Sequence, residues 1–163
     1  MTEVPNLTHV DETGAARMVD VTAKPPTVRR AVAAGRLRTT GEVVELLRRD
    51  GLPKGDALAV ARIAGIMGAK RTPDLVPLCH PIALHGVVVD LALTADSIEI
   101  TATVRTADRT GVEMEALTSV ATAGLTLIDM IKAVDPAATL DDVRVLSKEG
   151  GKTGDWHRPA DRS

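Results

Sequence analysis

The 163-residue chain reads as one α+β domain, a four-stranded antiparallel sheet with helices packed on one face. Three observations carry that reading. Two neighbouring segments alternate apolar and polar residues across a short turn, the pattern of a hairpin with one buried face. Residues 110–134 repeat apolar residues three and four apart, the spacing of a helix that buries one side. Further extended segments precede and follow these elements. Strand, helices, strand, strand, helix, strand, joined by two right-handed crossovers, gives a ferredoxin-like layer.

Taken in order, residues 1–16 are polar and irregular and read as a loose arm. Met18-Val19-Asp20-Val21 is a short extended piece, stopped by Lys24-Pro25-Pro26. Residues 27–38 read as a strand, because Gly35 interrupts any helix and Pro26 precedes it. Thr39 is the expected N-cap of a helix to Asp50, with Glu42 in its first turn. A second helix starts from Asp56 as N-cap and runs to about Arg71, where Pro73 closes it. Its alanines and glycines allow another element to come very near. The hairpin strands are residues 86–93 and 98–104, with Thr94-Ala95-Asp96-Ser97 as the turn. The long helix follows and ends at Asp135-Pro136. Residues 143–146 form the last strand, and residues 148–163 show no periodicity. The division is an arm over 1–16, a single domain over 17–156 and a tail over 157–163.

In the long helix, Leu117, Val120, Gly124, Leu127, Ile128 and Ile131 mark the buried face. A second stripe, Glu115, Thr118, Thr122, Thr126, Asp129 and Lys132, lies roughly opposite. A solvated face explains it, but solvated faces carry more long Lys, Glu and Gln side chains. A face of threonines points instead to a ligand or another subunit packed closely on it.

Composition narrows the function. With no Phe, no Tyr and one Trp, the chain lacks stacking platforms for single-stranded nucleic acid. A net charge of −2 argues against general nucleic-acid or membrane-surface binding. The single cysteine, Cys79, cannot form an internal disulfide, which fits a reducing compartment. Neither a leader-like apolar segment nor an apolar run of membrane-spanning length stands out, so a cytoplasmic location is expected.

Candidate chemistry lies in four places. Pro77-Leu78-Cys79-His80-Pro81 holds a thiol and an imidazole on a backbone stiffened from both sides; His80 suits proton transfer, although a histidine in a tight loop is more often a structural contact. One Cys and one His cannot complete a tetrahedral metal site. Glu113 and Glu115 stand at the start of the long helix, where backbone amides favour carboxylates; two apart on a helix, they should not face one ligand together. Asp129 and Lys132, three apart, can pair and relay protons in a cleft. Lys24, Arg29, Arg30, Lys54, Lys70, Arg71, Lys148 and Lys152 bring positive charge into glycine- or proline-marked loops, as a phosphate clamp requires. Lys148-Glu149-Gly150-Gly151-Lys152-Thr153-Gly154 is not a Walker A loop, since Leu146 stands where that pattern needs glycine. A flexible basic tail and a phosphate clamp both remain open there.

Pro77-Leu78-Cys79-His80-Pro81, together with Gly111-Val112-Glu113-Met114-Glu115-Ala116-Leu117-Thr118, resembles the MoaC family. Further matches are Met18 to Lys24, Lys54-Gly55-Asp56, Ala61 to Ile66, Asp129 to Val134 and Ser147 to Gly154, so that the resemblance runs over roughly residues 16–156. It implies a ferredoxin-like, cytoplasmic lyase of molybdenum-cofactor biosynthesis. The expected reaction converts a 3',8-cyclised dihydro-GTP into cyclic pyranopterin monophosphate with loss of pyrophosphate. The resemblance implies Asp129, Lys132 and Lys54 as catalytic residues. Leu78, Cys79, His80, Glu113, Met114 and Glu115 fall on substrate-binding segments, and Lys54, Arg29, Lys24, Lys148 and Lys152 are the candidates for the phosphates, Lys54 serving the chemistry as well. No cofactor or metal ligand set is implied, though Mg2+ could accompany the pyrophosphate. A homohexamer, a trimer of dimers with active sites between subunits, is the implied assembly. Pro25-Pro26 and Glu149 depart from the pattern, and Glu149 puts negative charge beside the presumed clamp. A non-catalytic module that binds a nucleotide or pterin is the alternative; it needs the cations but has no use for the Asp129–Lys132 pair.

Overall fold

The sheet is built outward from β1 (Thr27–Arg38). The computed structural model describes residues 8–160; the first part of the expected arm and the end of the expected tail lie outside it. β1 pairs antiparallel along its whole length with β3 (Ser97–Asp108), Thr27 opposite Asp108 and Arg38 opposite Ser97. Its other edge pairs antiparallel with β4 (Thr139–Glu149), with register shifts between Val32 and Ala33 and between Ala34 and Arg36. β2 (Gly86–Leu93) forms the expected hairpin with β3, Gly86 opposite Arg105 and Leu93 opposite Ile98. β5 (Trp156–His157) adds a fifth strand beyond β4, giving the order β2-β3-β1-β4-β5. The count of four is therefore corrected to five. A two-residue strand has no alternation to show, so pattern could not mark it.

Helix ends follow local capping chemistry. α1 (Gly41–Arg48) is capped by Thr40, whose hydroxyl accepts from the Val43 N–H, rather than by Thr39. Thr39 instead donates to Asp135 Oδ2 at 2.7 Å, tying the end of β1 to the chain after the long helix. α2 (Ala57–Lys70) is capped by Asp56 as expected. Pro73 does not stop it but lies in a short helix, α3 (Thr72–Leu75), near whose start its missing N–H is tolerated. α4 (Glu113–Ile131) is shorter at both ends than the periodic stretch. The piece at 18–21 is not a strand, and β4 is longer than the 143–146 expected.

The core lies between the sheet and α4. Ala31, Ala33 and Leu37 of β1 and Ile98, Ile100, Ala102 and Val104 of β3 meet Ala116, Val120, Ala123, Leu127 and Ile131 of α4. Each fully buried Leu, Ile or Val in such a layer is worth roughly 1.5–3 kcal/mol. By length and composition alone α4 is apolar enough to cross a membrane, contrary to expectation. Most of its apolar residues are instead buried against the sheet and α2, so it is the core helix of the domain.

Small residues set how near the elements come. A Cβ on Gly35 of β1 would lie 2.7 Å from Val120 Cγ1, and one on Gly68 of α2 would lie 2.7 Å from Thr122 Cβ. Thr122, in the middle of the polar stripe, is thus partly covered by α2 of the same chain. Thr118 and Thr126 satisfy their hydroxyls on the carbonyls one turn back, at 2.8 Å each. Gly68→Ala forces α2 away from α4 and is expected to destabilise the fold by about 1–3 kcal/mol. The check is urea unfolding, where the midpoint drops; an unchanged midpoint means that the two helices part freely.

Candidate active site

Two adjoining cavities open around the start of α4. The first, about 410 Å³, is lined by Val19, Val21, Lys24, Leu78, Cys79, His80, Glu113, Met114 and Glu115, with Thr8, His9, Thr110 and Gly111 at its margin. All the residues of the Leu78-Cys79-His80 and Glu113-Met114-Glu115 segments therefore meet there. Glu113 and Glu115 both line it, against the expectation that they would diverge. The cavity wraps around the end of the helix rather than lying along one face.

Glu115 is only 4% exposed. Burial pushes its carboxyl up to about 7; the Glu113 charge adds to this, and its own backbone N–H works the other way. Near neutral pH it is a carboxyl that can hold or give a proton. Burial, and secondarily the Glu115 charge, raises the Cys79 thiol, so it stays protonated. His80 Nε2 lies 2.6 Å from the Val19 carbonyl oxygen. A carbonyl only accepts, so Nε2 carries the hydrogen, leaving Nδ1 as the nitrogen that can exchange protons.

The second cavity, about 400 Å³, is polar and cationic, lined by Lys24, Arg29, Arg30, Arg109 and Lys148 with Glu113 and Glu149. Lys24, Thr110, Gly111 and Glu113 border both cavities. The carboxylate of Glu149 accepts from Arg30 Nη1 at 2.7 Å, across the register pair Arg30–Glu149. Its charge is thus matched by a neighbour instead of opposing Lys148. Arg29 Nε donates to the Asp108 carbonyl at 3.1 Å. Lys148 donates to the Thr153 hydroxyl. Lys152, in the turn beyond, lines neither cavity.

The third group stands at the far end of α4. Asp129 Oδ1 accepts from Lys132 Nζ at 2.7 Å, and Oδ2 accepts from Lys54 Nζ at 3.1 Å. Lys54 also donates to the Asp129 carbonyl at 2.9 Å. The hydrogen bonds from Lys132 and then Lys54 hold the Asp129 carboxyl below the usual carboxylate range. Helical spacing revealed the Asp129–Lys132 pair. It could not reveal Lys54, which the loop before α2 delivers from a distant point in sequence. At ~1.5 Å per residue, Asp129 and Glu115 are about 20 Å apart along the helix axis, so one chain does not bring the two groups together.

Sequence reasoning missed Arg109, Thr110 and Gly111 as cavity residues. Their signal was position, directly between β3 and the start of α4. Among the described residues no group of three or more His, Cys, Asp or Glu side chains is placed to hold a metal ion.

Acid–base side chains beside a cationic cavity are what an enzyme acting on a small molecule carries. The sequence model of the MoaC family matches residues 18–151, and the chain belongs to that family. It is 66% identical over 154 residues to the cyclic pyranopterin monophosphate synthase of Streptomyces griseus, covering 94% of this chain and 87% of the relative. It is 63% identical over 156 residues to the synthase of a Nocardioides species, covering 94% and 96%. With cyclic pyranopterin monophosphate synthase 2 of Mycobacterium tuberculosis it shares 66% over 152 residues, covering 93% and 91%.

The burial of Glu115 gives stability a pH dependence of definite sign. The raised value of the Glu115 carboxyl favours the folded state fully below about 4.5, and that contribution is lost as pH rises through about 7. Glu115→Gln should therefore remove, between pH 5 and 8, a decline in unfolding free energy on the order of 2 kcal/mol. Denaturant unfolding of both proteins at the two pH values measures it, and parallel declines would place the proton elsewhere.

Proposed function

We propose that the chain converts 3',8-cyclised dihydro-GTP into cyclic pyranopterin monophosphate and pyrophosphate, the reaction its family resemblance implies. The observation that carries the proposal is the pairing of an acid–base cavity with a cationic one across the start of α4. A triphosphate-bearing purine needs both. Opening the five-membered ring and rebuilding it as a pterin requires protons to be moved repeatedly, and forming the cyclic phosphate displaces pyrophosphate. In this reading Lys24, Arg29 and Lys148 hold the leaving pyrophosphate, while Glu115 and His80 Nδ1 exchange protons with the purine. Asp129, held low, is a weak base; it orients Lys54 and Lys132, and one of these ammonium groups is the donor of the trio.

Because Asp129 and the cavities stand at opposite ends of α4, we place each active site between two copies of the chain. Exposed Val60, Ile63 and Met67 on α2 and Leu125 on α4 support such contacts. A homohexamer built as a trimer of dimers is our reading of the assembly. The order β2-β3-β1-β4 with antiparallel pairing supports a ferredoxin-like layer to which β5 is an addition. The free thiol of Cys79 supports a cytoplasmic setting.

The test is pyrophosphate release from 3',8-cyclised dihydro-GTP by the wild type and by Asp129→Asn. The variant keeps its fold, since Asp129 is exposed, and is expected to lose at least about 10²-fold in turnover. A wild type that binds the nucleotide and releases nothing would falsify the enzymatic reading.

A further inference from the structure

Lys24 owes its place to a segment that belongs to no strand. Residues 17–24 carry local turns, with the Lys24 N–H on the Val21 carbonyl at 3.0 Å and the Thr22 N–H on Asp20 Oδ1 at 2.8 Å. Two side chains from elsewhere hold this segment by its backbone. His80 donates to the Val19 carbonyl, and Arg109 Nε donates to the Lys24 carbonyl at 2.9 Å. Arg109 itself is anchored directly after β3, where its N–H donates to Asp108 Oδ1 at 2.7 Å. Lys24 borders both cavities, while Arg109 lines the cationic one.

We propose that Arg109 is a positioning residue for the cationic cavity and that it acts through Lys24. A guanidinium has its donors in a rigid fork. With Nε committed to the Lys24 carbonyl, the fork is locked, and the Lys24 backbone is fixed at the boundary between the cavities. The Lys24 ammonium then reaches the anion from a set origin. Without Arg109 the segment keeps only the His80 anchor among these two, five residues before Lys24, and the ammonium samples open solvent. The proposal rests on the reading of this cavity as the pyrophosphate site.

Inorganic pyrophosphate binding, measured by titration calorimetry on the full chain, tests it with Arg109→Met, Lys24→Met, the double variant and Arg109→Lys. Each methionine variant is expected to weaken binding about tenfold, and the double variant to bind about as weakly as either single one, because the two residues act as a unit. Arg109→Lys, which keeps the charge and is the safer variant for folding, is expected not to restore binding, since one ammonium cannot reproduce the locked fork. Additive losses in the double variant, or full binding by Arg109→Lys, overturn the role through Lys24. Wild-type binding that survives undiminished in Arg109→Met overturns it as well. A wild type that does not bind pyrophosphate overturns the cavity reading itself, and this proposal with it.

Discussion

The burial of α4 against the sheet is the constraint on which the rest depends. The helix lies over β1, β3 and β4, and its centre can sit that close only because Gly35 and Gly68 present no side chain where Val120 and Thr122 pack. A buried middle fixes where both ends lie. The N-terminal end brings Glu113, Met114 and Glu115 to the cavities, and the C-terminal end brings Asp129 and Lys132 to Lys54. Any tilt of the helix would shift both ends in opposite directions.

The two ends put carboxylates in opposite chemical states. Burial raises Glu115 to about 7, whereas two ammonium partners keep Asp129 low in an exposed position. Desolvation and pairing thus divide one functional group into a proton holder and a permanent anion. In the cationic cavity, the same accounting assigns Glu149 to Arg30. The pair leaves Lys24, Arg29, Arg109 and Lys148 as the cations lining that cavity without a carboxylate partner within ion-pair distance among the described residues.

Much of this was legible in the sequence because its signals are local. Alternation gave the β2–β3 hairpin, three-and-four spacing gave α4, and Gly35 after Pro26 gave β1 its extended form. Asp56 as an N-cap is also a local signal. What failed needed tertiary information. The cap moved from Thr39 to Thr40 because Thr39 is engaged by Asp135, far along the chain. Pro73 looked like a helix stop and lies instead near the start of a new helix. β5 exists through pairing with Ser147 and Lys148, not through any pattern of its own. In the site, motif residues were found by resemblance, whereas Lys54 joining Asp129 and Arg109 holding Lys24 are contacts between segments that sequence spacing does not connect.

The central claim is that the active site is divided along α4 and completed by a second copy. The most direct measurement mixes two inactive variants, Asp129→Asn and His80→Gln, under conditions that exchange subunits, and follows pyrophosphate release. His80→Gln retains a donor for the Val19 carbonyl and removes the imidazole. If sites form between copies related by a two-fold axis, mixed pairs contain one intact site, and about a quarter of wild-type activity returns. If the mixture stays as inactive as its components after exchange is verified, both ends of α4 serve the same chain and the divided site is wrong.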